Sequence, residues 1–178
     1  MNRNELAREI YRISHIEGKF QLRSGQISNE YFDKYLFESV PHILREVAEQ
    51  MKKMIPVGIE VLAGLEMGGI PIATALALTS GLPLVFVRKK AKEYGTCKLA
   101  EGLEIKNKKV CIIEDVVTTG GQIILSATDL RKLGAELKYV LCVIERDKKS
   151  GDALRKEGLN LIPLFTMDEL KSHLNQMI

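Results

Sequence analysis

Residues 110–122, Val-Cys-Ile-Ile-Glu-Asp-Val-Val-Thr-Thr-Gly-Gly-Gln, restrict what this chain can become more than any other stretch. The four apolar residues at 110–113 have the pattern of a strand buried on both faces. Glu114 and Asp115 follow at the expected exit from the sheet, then Val116, Val117, Thr118, Thr119, Gly120 and Gly121. After Gln122 a helical period places Ile123, Ala127 and Leu130 on one face and ends at Leu133 and Gly134. A strand, a hydroxylated glycine loop and a helix together form an anion site. Glycine lets backbone approach a ligand, and the first N–H groups of the helix lack internal partners at the positive end of its dipole. The two acids do not suit a bare phosphate, which they would repel. Their chemistry fits sugar hydroxyls donating to them, or a share in holding a divalent metal.

The rest of the composition narrows the class. A length of 178 residues is that of one domain, here expected to span 1–178, with enough chain for a full core. A net charge of +3 does not call for a nucleic-acid partner. The polar start, Met1-Asn2-Arg3-Asn4-Glu5, lacks a signal-peptide apolar core, and no segment has the length of a membrane span, so the expected location is cytoplasmic. Cys111 and Cys142 lie in apolar runs and read as reduced core residues, whereas Cys97 lies in a polar stretch.

Along the chain, residues 4–17 read as an amphipathic helix with Leu6, Ile10 and Ile13 on one face and Asn4 as its cap. His15, near its end, is assigned no chemistry. Extended segments around a Gly25 turn follow, with Tyr31 and Phe32 after it. A helix is expected over 39–55, a strand over 61–64 and a helix over 70–78, the Gly68-Gly69 pair lying between the last two. A strand over 82–87 leads into the basic run Arg88-Lys89-Lys90-Ala91-Lys92, and a polar stretch beyond it has the character of a lid. Further strands are expected over 139–144 and 159–165, with helices over 150–158 and 167–177. Alternating strands and helices predict an α/β fold with a mainly parallel central sheet flanked by helices, and a small N-terminal hood over residues 1–38.

Residues 112–122 resemble the phosphoribosyl-pyrophosphate (PRPP) signature of the type I phosphoribosyltransferases. The stretch Phe20-Gln-Leu-Arg-Ser-Gly-Gln-Ile-Ser28, followed by Tyr31-Phe32, is similar to the N-terminal part of the orotate phosphoribosyltransferases. That resemblance implies the type I phosphoribosyltransferase fold and transfer of ribose 5-phosphate from PRPP to orotate, a step of pyrimidine biosynthesis. It implies that Glu114 and Asp115 contact the ribose hydroxyls, that Val116, Val117, Thr118, Thr119, Gly120, Gly121 and Gln122 form the 5-phosphate loop, and that Arg88, Lys89 and Lys92 take the pyrophosphate. Lys92, Asp115 and Glu114 then carry the catalysis. Arg23, Tyr31, Phe32, Thr118 and Arg146 bind orotate, Arg146 by forking onto its carboxylate. The residues leave alternatives open: Tyr31 and Phe32 would also serve as a core pair, and Arg146 as a surface partner of Glu145 or Asp147. Mg²⁺ is expected to bind mainly through PRPP, with no certain protein ligand, and a homodimer is implied in which the lid closes on the neighbouring subunit. Tyr94 stands where many orotate enzymes carry histidine, and Arg23 where many carry lysine. The alternatives are a phosphoribosyltransferase for another nucleobase, or a PRPP-binding regulator without catalysis.

Overall fold

Two apolar periods, alternate residues for strands and three-to-four for helices, set the layers of this chain. The computed structural model describes residues 1–21, 25–90 and 98–172. Within them α1 (Arg3–Ser14) leads into the antiparallel pair β1 (His15–Gln21) and β2 (Ile27–Phe32). The short α2 (Lys34–Glu38) and α3 (Pro41–Lys52) follow, then β3 (Val61–Leu65), α4 (Gly69–Ser80) and β4 (Leu84–Val87). The second half runs β5 (Ala100–Gly102), β6 (Lys109–Val117), α5 (Gly121–Lys132), β7 (Glu136–Glu145), α6 (Lys149–Lys156), β8 (Asn160–Thr166) and α7 (Met167–Ser172).

The main sheet has the order β5-β4-β3-β6-β7-β8, parallel except for the edge strand β5. Alternation buries both of its faces. Cys111 and Ile113 of β6 join the core packed by α1, α3 and α4, while Val110 and Ile112 join the core on the α5 and α6 side. Leu141 and Val143 of β7 fall on the first side, Val140 and Cys142 on the second. Each large aliphatic side chain so buried stabilises the fold by about 1.5–3 kcal/mol. Cys111 and Cys142 are buried free thiols, and desolvation pushes Cys111 up to about 12.

Local chemistry explains where the elements depart from expectation. Asn2, not Asn4, caps α1, because Glu5 stands three residues on and completes a reciprocal capping box. The helix stops at Ser14, and His15 opens β1 instead of closing the helix. Residues Leu6, Ala7 and Ile10 of α1 have no solvent exposure and belong to the main core, so the part standing outside the main sheet is the β1–β2 ribbon. β6 does not end before the acids. It runs through them to Val117, since Val116 and Val117 continue strand pairing with Ile144 and Glu145.

The sheet order reverses between β3 and β6, the place where open α/β sheets bind ligands at their C-terminal ends. α4 is drawn tightly onto this point by glycine: a Cβ at Gly69 would overlap the Ile113 carbonyl, and one at Gly68 the Asp115 carboxylate. Gly69→Ala is therefore expected to lower unfolding free energy by about 1–3 kcal/mol. Gly151→Ala, in α6 with only the Glu145 carboxylate beside it, is expected to be neutral or stabilising. Urea titration of both variants checks this, and equal losses would show that α4 has room to retreat.

Candidate active site

Three connections emerge at the C-terminal edge of the sheet. The first joins β3 to α4 through Glu66, Met67 and Gly68; Glu66 N–H donates to the Val87 carbonyl, and its carboxylate accepts from Lys89 N–H at 3.1 Å. That contact ties the start of the basic run to this connection. Arg88, half-buried, adds a backbone bond to the Leu99 carbonyl at 2.9 Å.

The second joins β6 to α5. Thr118 and Thr119 are exposed, and Gly120 turns the chain with φ 76°, a left-handed conformation, where a side chain would also strike Leu154. Gly121 and Gln122, both exposed, open α5, whose first N–H groups lack partners within the helix and receive no side-chain cap from Gly120. Ile123, Ala127 and Leu130 hold the helix by its buried face.

The third leaves β7. Val117 pairs with Glu145, and Arg146 N–H donates to the Val117 carbonyl at 2.8 Å, which sets Arg146 beside Thr118. Among the described residues the Arg146 guanidinium forms no ion pair with Glu145 or Asp147. It borders two adjoining cavities. One, of about 450 Å³, is lined by Thr118, Arg146 and Asp168 among others; the other, about 100 Å³, by Tyr11, His15, Glu30, Tyr31, Phe32 and Arg146. The exposed Tyr31 ring packs on Phe20 at 5.4 Å, while Phe32 leans on Tyr11 at 6.1 Å and on the core.

Beneath the edge lies a group of charges. Asp115 has no solvent exposure; its Oδ2 lies 2.6 Å from the Lys34 ammonium and its Oδ1 accepts from Val116 N–H. Glu114 is half-buried and its carboxylate accepts from Asp115 N–H at 3.2 Å. Glu38 is 7% exposed. Burial first, then the charge of Asp115 and a hydrogen bond to it, push Glu38 up to about 9. Burial and the same neighbour push Glu114 up to about 8. For Lys34 burial opposes the charge, but the hydrogen bond and charge of Asp115 outweigh it and the pKa is raised.

The phosphoribosyl transferase domain family matches residues 35–166. The chain is 48% identical over 165 residues to the orotate phosphoribosyltransferase of Nocardioides sp., covering 93% of this chain and 92% of that one. It is 40% identical to the enzyme of that name from Pyrococcus horikoshii, covering 86% and 84%. A crystal structure of Mycobacterium tuberculosis orotate phosphoribosyltransferase with PRPP superposes with a TM-score of 0.81 at 26% identity, over 95% of this chain and 98% of that one.

The chain belongs to the orotate phosphoribosyltransferase family. Against the family pattern, the structure brings Thr118, Arg146, Tyr31 and Phe32 around adjoining cavities, and sets Arg88 and Lys89 at the end of β4. Arg23 and Lys92, together with Tyr94 and Cys97, lie outside the described residues. Glu114 and Asp115 do not present equally: Glu114 is the accessible one, and Lys34 covers Asp115. Three participants escaped the sequence reading. Lys34 and Glu38 are spaced four apart, one face of a helical turn, but five residues between Asp33 and Ser39 gave no periodic signal for a helix. His15 sits in the smaller cavity, its Nε2 2.9 Å from Glu30 and its ring stacked on Tyr11 at 5.0 Å. The strand pairing His15↔Phe32 brings it there, and that register is invisible in one segment alone.

Glu38 and Glu114 keep protons in the folded protein that the unfolded chain loses near the ordinary 4.5. The folded state then binds more protons between that value and the raised ones, so stability falls as pH rises through this window. Glu38→Gln removes one such group and is expected to flatten the fall between about pH 5 and 9. Urea unfolding at a series of pH values checks it; an unaltered slope would mean that Glu38 ionises normally in the fold.

Proposed function

We infer that this chain transfers the ribose 5-phosphate group of PRPP to N1 of orotate, giving orotidine 5-monophosphate and pyrophosphate. The observation that carries the reading is the shared cavity edge of Thr118 and Arg146, in a chain 48% identical to an orotate phosphoribosyltransferase over nearly its full length. The bond from the anomeric carbon to the pyrophosphate oxygen breaks, and a bond from that carbon to N1 forms. The sugar passes through an oxocarbenium-like state, as in glycoside cleavage. Orotate N1 enters deprotonated, so no general base is assigned.

Each part of the site has a task. The 118–122 loop, with its hydroxyls and the free N–H groups of α5, receives the 5-phosphate. Glu114 accepts from a ribose hydroxyl, and Asp115 behind it places negative charge near the developing cation. Arg88, Lys89 and Lys92 offset the pyrophosphate charge. Arg146 forks onto the orotate carboxylate, and Tyr31 and Phe32 flank the ring. Mg²⁺ is held mainly by PRPP oxygens in this reading, a hard cation on oxygen ligands, with no protein ligand assigned. Bound in that way, the ion neutralises part of the leaving charge. The basic segment closes over the neighbouring subunit's site in a homodimer. No helix among the described residues is long and apolar enough to cross a membrane, and a cytoplasmic location fits the reading.

The test is an absorbance assay with PRPP and Mg²⁺ and with orotate, uracil, hypoxanthine and adenine as parallel acceptors. Turnover of orotate alone is expected; turnover of another base would move the chain within the family, and PRPP binding without turnover would favour a sensor. Arg146→Ala is expected to raise the orotate KM about 10–100-fold, the worth of charged hydrogen bonds of about 1.5–3 kcal/mol. The PRPP KM should stay close to wild type, and an equal loss for both substrates would remove Arg146 as base selector. Lys92→Ala is expected to lower kcat far more than PRPP affinity; unchanged kinetics would refute its part in catalysis.

A further inference from the structure

Of the three carboxyl groups under the site, Asp115 is ion-paired with the Lys34 ammonium, and no other ammonium pairs with them among the described residues. Asp115 is fully enclosed: the Gly68 backbone lies against it, Val116 N–H donates to it and Lys34 stands over it at 2.6 Å. Glu38, one helical turn beyond Lys34, is buried, and neither of its carboxyl oxygens has a donor among the described residues. Ionised, Glu38 and Asp115 are both acceptors and repel; one proton on Glu38 turns their contact into a hydrogen bond. Phe37, with no exposure, anchors α2 in the core and holds Lys34 and Glu38 over β6, while Asp33 caps the turn. The exposed part of the assembly is the Lys34 side chain, one-third accessible, and the half-buried Glu114 beside it. The charged and titratable groups around Asp115 are thus Lys34 and Glu38 from α2, Glu114 next to it on its own strand and, on the other face of the sheet, the Cys142 thiol of β7.

We infer that Lys34 is a positioning residue for PRPP recognition, and that Glu38 is its buried partner. Lys34 is the accessible half of the Lys34–Asp115 pair and sets how much negative charge the acids present to a ligand that is itself strongly anionic. Without it, the Asp115 charge faces PRPP uncompensated, and only a proton can replace the missing charge. Glu38 keeps the count low by holding a proton, adding volume and a donor without a charge. The inference rests on the PRPP-dependent reading above.

The experiment is calorimetric titration of the full chain with PRPP and Mg²⁺, without any base, at about pH 6 and about pH 8. Wild type is expected to bind at both. Lys34→Met is expected to weaken binding at least about tenfold at the higher pH, to recover part of that loss at the lower pH, and to be largely rescued by Lys34→Arg. A purely structural role would lower thermal stability and weaken binding equally at both pH values, which would overturn the inference, as would wild-type affinity in Lys34→Met. Should Lys34→Met fail to fold, Glu38→Gln decides: it cannot ionise, so PRPP affinity is expected to fall less than in wild type as pH is raised to about 9.5. The same fall in both proteins would overturn the inference. Wild type that fails to bind PRPP would overturn the functional reading together with the inference, whereas binding with the wrong base specificity would overturn the reading of the base site alone.

Discussion

The enclosed Asp115 carboxylate is the interaction on which the rest of the active edge depends. An ionised carboxylate removed from water costs several kcal/mol unless it is paired and hydrogen-bonded. Here the compensation comes from two parts of the chain, the Val116 N–H of its own strand and the Lys34 ammonium of α2, while a close backbone approach at Gly68 packs the carboxylate in and makes that compensation necessary. Breaking either one leaves an unmet demand on the other. The N-terminal α2, the β3–α4 connection and the β6 acids are consequently fixed to one another, although Lys34 and Asp115 are far apart in sequence.

Sheet order turns that local fixation into a binding site. Because the order reverses between β3 and β6, the connections after these strands diverge and leave a crevice, with the N-terminus of α5 on one side and the basic end of β4 on the other. Positive potential is thus supplied by backbone dipole and by Arg88 and Lys89, neither of which needs burial. The acids lie lower. A sugar carrying phosphates at two positions suits this layering, with anions at the rim and hydroxyls toward the floor.

What the sequence revealed and what it concealed divide along the same line. The β6–α5 unit was legible because it is contiguous: an apolar run, two acids, two threonines and two glycines within thirteen positions carry both strand and loop. The parallel fold followed from the alternation of such units. The strand end was misplaced, since acids look like an exit signal until their pairing with β7 is known. Lys34 and Glu38 were hidden for a different reason: their roles depend on Asp115, and no local pattern reports an ion pair across eighty residues of chain. The five-residue α2 is too short for a periodic signature, being stabilised by Asp33 and by Phe37 in the core instead of by propensity.

His15 extends that lesson to the smaller cavity that Arg146 borders. A histidine at the end of an amphipathic helix is ordinarily a surface or dipole residue. In this fold α1 ends one residue earlier, and antiparallel pairing carries His15 opposite Phe32, where it stacks on Tyr11 and meets Glu30. Glu30 also lies 3.5 Å from Lys171, so this acid is shared between two basic groups at the cavity that Arg146 borders. An unshared carboxylate there would repel an anionic base. Paired on both sides, it contributes little net charge and instead holds the ribbon's polar edge in place. The two ends of the crevice therefore use one device. Asp115 at one end and Glu30 at the other are each held by a basic side chain, Lys34 and Lys171.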